Sequence, residues 1–578
     1  MLSKNSRIKI FKTIPFLFLI LVGGACLRLY GIDFGLPDLL NVDEPFEINR
    51  ALRLATGSFD FSRAGKGGLY YIIFIELVLS FFVLYLTGLT KSPNEFAYFF
   101  VSHDDIFYLM ARITSALIGI ISLYLIYRIG CKNGGKTVGL MAMFLLAISG
   151  LNVTHAHFAT VDITLVFLLL LTWSYLFAIA EGGKKKDFYL AGLFGGLSVI
   201  TKLPGIVIIA PMVVVYFMHR RLSFPSTGES HRYFAMMIII FFLVMFAGEP
   251  GYIRTFQNTQ GTIKSLYGKS AKNLEEDNGP KDLLRKPSSI NLHRFYSKVI
   301  IKDIGVTFLL IFIVSLLYFL FNRSLVEILV LSFSIPYFIA ICSTSSILYY
   351  ERYVLPLIPL IILVTSRGVG KSIEYLQAKL NRLSSLRVNA IVLFVLVLLC
   401  SPNLLSAVEA TSKFRQEHPR IQAKKWVQKN IPSETRILME GSPEHRSQSL
   451  IPLLNTKANI KEMISDLKKR DPGKALYWEL RSRYLDKLDV PRYDLLLIQN
   501  DHPWIEYEEF KATDIEYVIF DVKSINQNYR KRTDHVRSTR IAFYDQLVID
   551  PEVTEITKLG DRIEIFGKKT ADGKTDAL

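Results

Sequence analysis

The run TFLLIFIVSLLYFLF (307–321) carries no charged side chain, and FFLVMF (241–246) and NAIVLFVLVLLC (389–400) repeat its character elsewhere. A helix built from such a run has no charged face to turn to water. A bilayer core takes about 20 apolar residues to cross, fewer where the ends are amphipathic. A buried core helix accounts for one or two runs of this kind, not for a series that continues to residue 405. Composition agrees: the chain is 51% hydrophobic, with a mean hydropathy of +0.30 over 578 residues. These features predict a polytopic α-helical membrane protein.

The formal net charge is +17. Much of the excess Lys and Arg sits in short loops between apolar runs, where membrane topology accounts for it better than nucleic acid does. Cys26, Cys131, Cys342 and Cys400 lie in or beside apolar runs and form no CxxC pair, so neither a disulfide framework nor a zinc site is expected. Lys4, Arg7, Lys9 and Lys12 precede an apolar stretch to Tyr30. A signal peptide has this form. The many later runs favour an uncleaved first span, with the N-terminus in the cytosol.

That first span, near 12–31, delivers Asp43, Glu44 and Glu47 to the outside. The stretch LYYIIFIELVLSFFVLYL (69–86) then poses a choice. If it crosses, Arg128, Lys132 and Lys136 fall outside, as do Lys184 to Lys186, against the positive-inside rule. If it lies in the interface or re-enters, both clusters fall inside, and Glu76 in its middle suits that reading. With 69–86 not crossing, spans near 106–129, 138–154, 163–180, 188–201, 203–218, 234–249, 304–321, 325–342, 353–366 and 388–405 follow. They bring the total to about eleven crossings. Arg323 and the loop 367–387 then lie inside. Segments 32–68, 155–162 and 250–303, and everything after about 406, lie outside. Residues 1–405 thus form a membrane domain, and 406–578 a small extracytoplasmic α/β domain. There, IQAKKWVQKN (421–430) reads as helix, and TRILME (435–440), YDLLLI (493–498) and IEYVIF (515–520) read as strands. VTEITKL (553–559) and RIEIFG (562–567) read as a hairpin about Gly560-Asp561.

The first outer loop contains NVDEPFEINRALRLATG (41–57). Pro45 suits the first turn of a helix, so Asp43 or Glu44 can serve as its cap. Alternatively, one of the two carboxylates is a general base that takes the proton of an attacking hydroxyl. In HAHFATVD (155–162), Asp162 stands at the outer mouth of a span. An acid at that depth is functional by default, unless it sits in interfacial water. His155 and His157 are metal ligands with Asp162, or interfacial residues; no further cluster completes a metal site. Arg112, Lys202 and Arg352 lie at outer span ends, the side that topology disfavours, and Lys66 is a weaker fourth. They either snorkel to the interface or stabilise a phosphate leaving group in a partly desolvated site.

The order and spacing of four features resemble the GT-C membrane glycosyltransferases of the protein O-mannosyltransferase and lipid A aminoarabinose-transferase type. The features are Asp43-Glu44 in a helical first loop, LYYIIF (69–74) after a glycine-rich turn, HAHFATVD, and Arg352-Tyr353 followed by Leu355-Pro356 and Pro359. The resemblance runs from about 12 to 405. Gly67-Gly68 replace the family's proline pair before Leu-Tyr-Tyr, and the segment that follows is longer and more apolar than usual.

The resemblance implies inverting transfer of a sugar from a polyprenyl-phosphate carrier to an acceptor hydroxyl on a lipid, glycan or protein, at the outer face of a plasma (inner) membrane. It makes Asp43 the base and Glu44 its neighbour. Asp162 orients the acceptor or shares the proton work, and Arg352 binds the carrier phosphate with Lys202 and Arg112. His155 and Lys66 complete the candidate site. No divalent metal and no nucleic acid is required. The alternative is a transporter or flippase of lipid-linked sugars, with Asp162 and Lys202 lining its path. Such proteins are often built from repeated halves, and none is visible in this chain.

Overall fold

In the computed structural model the described residues are 4–55, 67–222, 228–252, 292–343, 350–379, 385–499, 502–522, 534–559 and 563–568. Lys66, most of the loop 250–303 and the turn Gly560-Asp561 lie outside them.

Helices α1 (Lys4–Leu29), α2 (Glu44–Ala55), α3 (Gly68–Leu86), α4 (Pro93–Ser102) and α5 (Asp104–Ala147) open the chain. α5 is a helical hairpin. Its two limbs meet at Gly135, whose φ of 84° favours a residue without a side chain. α6 (Gly150–Ala156), α7 (Val161–Ala180), α8 (Lys185–Thr201), α9 (Ile209–Leu222) and α10 (Gly228–Gly248) follow. Next come α11 (Leu292–Ile304), α12 (Val306–Phe321), α13 (Leu325–Ser343), α14 (Ile358–Lys379) and α15 (Ser385–Ser412). Their shared core is almost wholly apolar. Trp173 of α7, for example, is 1% exposed and stacks edge-on against Phe333 of α13.

Among the described residues, five helices are long and apolar enough to cross a membrane, or six if α11 and α12, bent by 103° at Gly305, count as one span. Two other expected spans differ in length or polarity: the apolar part of α1 is Ile14–Leu29, and α14 carries Arg367 and Lys371. Several boundaries differ from expectation. The stretch 138–154 breaks at Ile148-Ser149, because Ser149 caps α6 through the Asn152 amide. The expected span 353–366 begins with a 3-10 turn over Glu351–Val354 and continues as helix to Lys379, so most of the expected loop 367–387 is helical. The end of the expected loop 250–303 is α11.

The two ends of the bundle differ in charge. Lys132 in the α5 turn pairs with Glu181 after α7 at 3.2 Å. Arg367 pairs with Glu327 of α13 at 3.0 Å, and Gly370 packs on Val138 just beyond the α5 turn. The clusters 128–136 and 184–186 and the residues Arg323 and Arg367 therefore share one end.

α3 runs antiparallel to the first limb of α5. Ile72 packs on Ile118, Glu76 accepts from the Thr114 hydroxyl, and Ser80 Oγ lies 4.0 Å from the Met110 sulfur. The far end of α3 thus returns to where α5 begins.

The C-terminal segment contributes α16 (Pro419–Asn430), β1 (Arg436–Glu440), α17 (Lys457–Arg470), α18 (Pro472–Leu485), β2 (Asp494–Ile498), α19 (Tyr507–Ala512), β3 (Tyr517–Asp521), α20 (Asp534–Ile549), β4 (Val553–Leu559) and β5 (Ile563–Lys568). The five strands form one sheet in the order β2-β1-β3-β5-β4, the first three parallel and the last two an antiparallel hairpin. Ile437, Met439 and Ile519 face one core, and Leu438, Val518 and Phe520 the other. Both faces are covered, which is why these strands read as unbroken apolar runs. The pair α17–α18, which the sequence did not announce, ties this segment to the helices. Asp471 pairs with Arg53 of α2 at 2.9 Å, and Arg481 pairs with Asp104 at the start of α5 at 3.1 Å.

Candidate functional site

At the end of the bundle that faces the C-terminal segment, four charged side chains alternate in sign. Asp43 stands just before α2, where its amide donates to Asn41 Oδ1 at 2.9 Å. Arg352 lies in the 3-10 turn before α14, Asp162 in the first turn of α7, and Lys202 at the reversal where α8 ends in extended backbone. Arg352 Nη1 donates to Asp43 Oδ2 at 2.5 Å, and its Nε lies 3.8 Å from Asp162 Oδ2. Lys202 Nζ donates to Asp162 Oδ1 at 2.6 Å. The chain of charges runs from the surface inward: the Asp43 side chain is 31% exposed, Arg352 17% and Asp162 4%. Aromatic rings flank both cations, Tyr350 at 4.3 Å from the Arg352 guanidinium and Tyr353 at 4.7 Å from the Lys202 ammonium. Burial alone would lower the Arg352 pKa; the carboxylates of Asp162 and Asp43 outweigh it and hold the group above its ordinary value.

The remaining candidates separate. Glu44, next to Asp43 in sequence, is fully buried; its Oε1 accepts from Arg112 Nε at 2.8 Å and from the Ala159 amide at 3.0 Å, and its Oε2 from Arg112 Nη2 at 2.8 Å. Arg112 Nη1 donates to the carbonyls of Ile32 and Phe34 at 3.0 and 2.8 Å. Arg112, expected as a phosphate ligand, is here turned to Glu44 and the first loop. Its donors are spent on Glu44 and the first loop, its side chain has no exposed surface, and the pair anchors that loop to α5 and to the 157–160 turn. By the same geometry Glu44 holds α2 in place and does not face the site beside Asp43. His155 lies close enough to Asp162, Arg352, Lys202 and Asp43 to feel their charges. Burial, which outweighs Asp162, brings its pKa down to about 4. His157 sits apart, with Nδ1 on the Val153 carbonyl and Nε2 on that of Tyr30, stacked on Phe414. Among the described residues no three His, Cys, Asp or Glu side chains converge to hold a metal ion.

The glycine turn has a physical reason. Gly67 donates its amide to the Ile200 carbonyl at 2.6 Å, and a Cβ on Gly68 would lie 1.9 Å from Thr201 Oγ1. Only glycines let α3 start this close to the residues that carry Lys202. Beside this contact are Glu249, 2% exposed, and Tyr71, whose hydroxyl donates to the Gly248 carbonyl. Sequence reasoning passed over both. The signal for Glu249, an acid at a span end in AGEPGY (247–252), was of the same kind as that for Asp162.

Residues 106–247 match the family model of the dolichyl-phosphate-mannose-protein mannosyltransferases. That match includes Arg112, His155, Asp162 and Lys202, but neither Asp43 nor Arg352. No curated protein matches the chain in sequence. Among solved structures, ArnT from Cupriavidus metallidurans bound to undecaprenyl phosphate aligns at 11% identity over 99% of this chain and 100% of its own, with a TM-score of 0.46. The oligosaccharyltransferase AglB from Archaeoglobus fulgidus, in complex with an inhibitory peptide and a dolichol-phosphate, aligns at 13% identity over 89% of this chain and 70% of its own, also at 0.46. The S. cerevisiae Pmt1-Pmt2 complex bound to the sugar donor aligns at 16% identity over 44% of this chain and 34% of that chain, at 0.31.

Proposed function

We propose that the chain transfers a glycosyl residue from a polyprenyl-phosphate sugar to an acceptor hydroxyl, with inversion, at the outer face of the membrane. The observation that carries the reading is the alternating series Asp43, Arg352, Asp162, Lys202 at one end of an apolar bundle, its exposure falling from Asp43 to Asp162.

Asp43 takes the proton of the acceptor hydroxyl. The hydroxyl oxygen attacks the anomeric carbon from the face opposite the carrier, and the carbon–oxygen bond to the phosphate breaks. Arg352 and Lys202 receive the charge that develops on the departing phosphate, where desolvation makes each contact stronger than it is in water. Asp162 keeps the two cations together while the site is empty. A phosphate arriving at Arg352 competes with Asp43 for the guanidinium, so donor binding frees the base.

The Lys- and Arg-bearing end of the bundle is the cytosolic one by the positive-inside rule. On that reading the site and the segment after residue 406 lie outside. α3 does not cross on this reading: α2 before it and the start of α5 after it are both held by α17–α18. Residues 1–405 are the membrane part with about eleven crossings, and 406–578 the outer domain.

The test is donor binding. Purified protein in nanodiscs should bind a polyprenyl phosphate, and Arg352→Ala and Lys202→Ala should each weaken that binding at least tenfold. Equal binding by wild type and both variants would remove the phosphate role.

A further inference from the structure

A cleft of about 580 Å³ opens between α2 and the pair α17–α18, and its wall begins at Pro45, two residues beyond Asp43. Its rim is made of charged groups that already pair with one another. Glu444 accepts from Arg470 at 3.0 Å and from Lys474 at 3.1 Å, and Arg53 donates to Asp471 at 2.9 Å. Trp478 lies in its floor. Burial alone would raise the Glu444 carboxyl; Lys474 and Arg470 hold it below its ordinary range, so it stays an acceptor.

We infer that this cleft is the acceptor site, and that the acceptor is a neutral saccharide. The inference rests on the transferase reading and adds the substrate class. Arg470 and Lys474 face Glu444, and Arg53 faces Asp471, so the rim presents donors and acceptors side by side rather than charge of one sign. A hydrocarbon chain would strip water from those ion pairs without replacing its hydrogen bonds. Among the lining residues no strand edge is offered for a peptide to extend by strand addition. Sugar hydroxyls suit the rim in both directions, donating to Glu444 and Asp471 and accepting from Arg470, Lys474 and Arg53. The apolar face of a pyranose ring packs on an aromatic floor. A saccharide held here brings its terminal hydroxyl toward the exposed carboxylate of Asp43.

The experiment is saturation-transfer NMR of mannobiose, cellobiose and lactose against the full chain in nanodiscs, with a Ser/Thr-rich peptide alongside. At least one disaccharide should bind. Glu444→Gln and Lys474→Met should each weaken it at least tenfold, while Asp43→Asn does not. Absence of disaccharide binding, equal binding by both cleft variants, or binding of the peptide alone would overturn the assignment. Label transfer from a polyprenyl-phosphate hexose is measured on the same preparations. Saccharide binding lost in Glu444→Gln, with no transfer by wild type, would overturn the transferase reading and leave the cleft assignment standing. Transfer with unchanged constants in both cleft variants would do the reverse.

Discussion

Asp43 and Glu44 are neighbours in the chain and have opposite surroundings. Asp43 is part-exposed and shares one hydrogen bond with Arg352, whereas Glu44 is buried and saturated by Arg112 and the Ala159 amide. Substitution should separate them. Asp43→Asn should lower turnover by roughly 10²–10⁴-fold, the usual contribution of a general base. Its affinity for a polyprenyl phosphate should not fall, because the competitor for Arg352 has lost its charge; equilibrium binding beside single-turnover rates checks both. His155 makes a second prediction. The folded chain protonates it only near pH 4, against an ordinary 6.5. Between those values the unfolded chain binds the proton first, so stability is complete above 6.5 and is lost as the pH falls toward 4. His155→Gln should flatten that part of the thermal-midpoint profile. Asp162, Lys202 and Arg352 were legible because a charge at the end of an apolar run needs an explanation, and Asp43 because it belongs to a carboxylate pair beside a helix start; the four converge. The Arg112–Glu44 pairing was not legible. The two are 68 positions apart, and sequence alone does not tell a cation spent on a carboxylate from one free for phosphate.

At the scale of the element, Arg112 fastens the first loop to α5. Arg112→Met leaves Glu44 as an uncompensated buried charge and should cost about 3–5 kcal/mol, read as a lowered unfolding midpoint. Arg112→Met with Glu44→Leu should recover part of that loss. α3 depends on a close approach. Gly68→Ala should destabilise by about 1–3 kcal/mol through overpacking against Thr201 and should lower transfer, because Thr201 precedes Lys202. Thr201→Ala in the same chain should partly restore both. The run 69–86 has the composition and length of a span. Its direction is set by Ile72, Glu76 and Ser80 against α5, contacts that no local pattern encodes. Helices α17 and α18 were missed for a related reason: their polar faces read as loop, and their apolar sides become visible only against α4 and the sheet.

For the whole molecule, the apolar helices and the positions of the C-terminal strands were legible in the sequence; the parallel pairing of the first three strands was not. Nor was the joint between the helices and the C-terminal segment. Arg53–Asp471 and Arg481–Asp104 clamp both sides of α3 to one helix pair and shape the cleft next to Asp43. The charge asymmetry of the bundle makes a prediction at this scale. A cysteine introduced at the exposed Lys487 should react with a membrane-impermeant reagent from outside intact cells, and one at the exposed Lys186 should not. The opposite labelling would invert the topology and put the site on the cytosolic face.

The most direct measurement is transfer of label from radiolabelled polyprenyl-phosphate mannose and glucose by the purified protein with a membrane-derived acceptor fraction, wild type beside Asp43→Asn. Label moved by the wild type and not by the variant is the result the account predicts. Equal transfer by the two, or release of the donor across sealed vesicles unchanged, would contradict it.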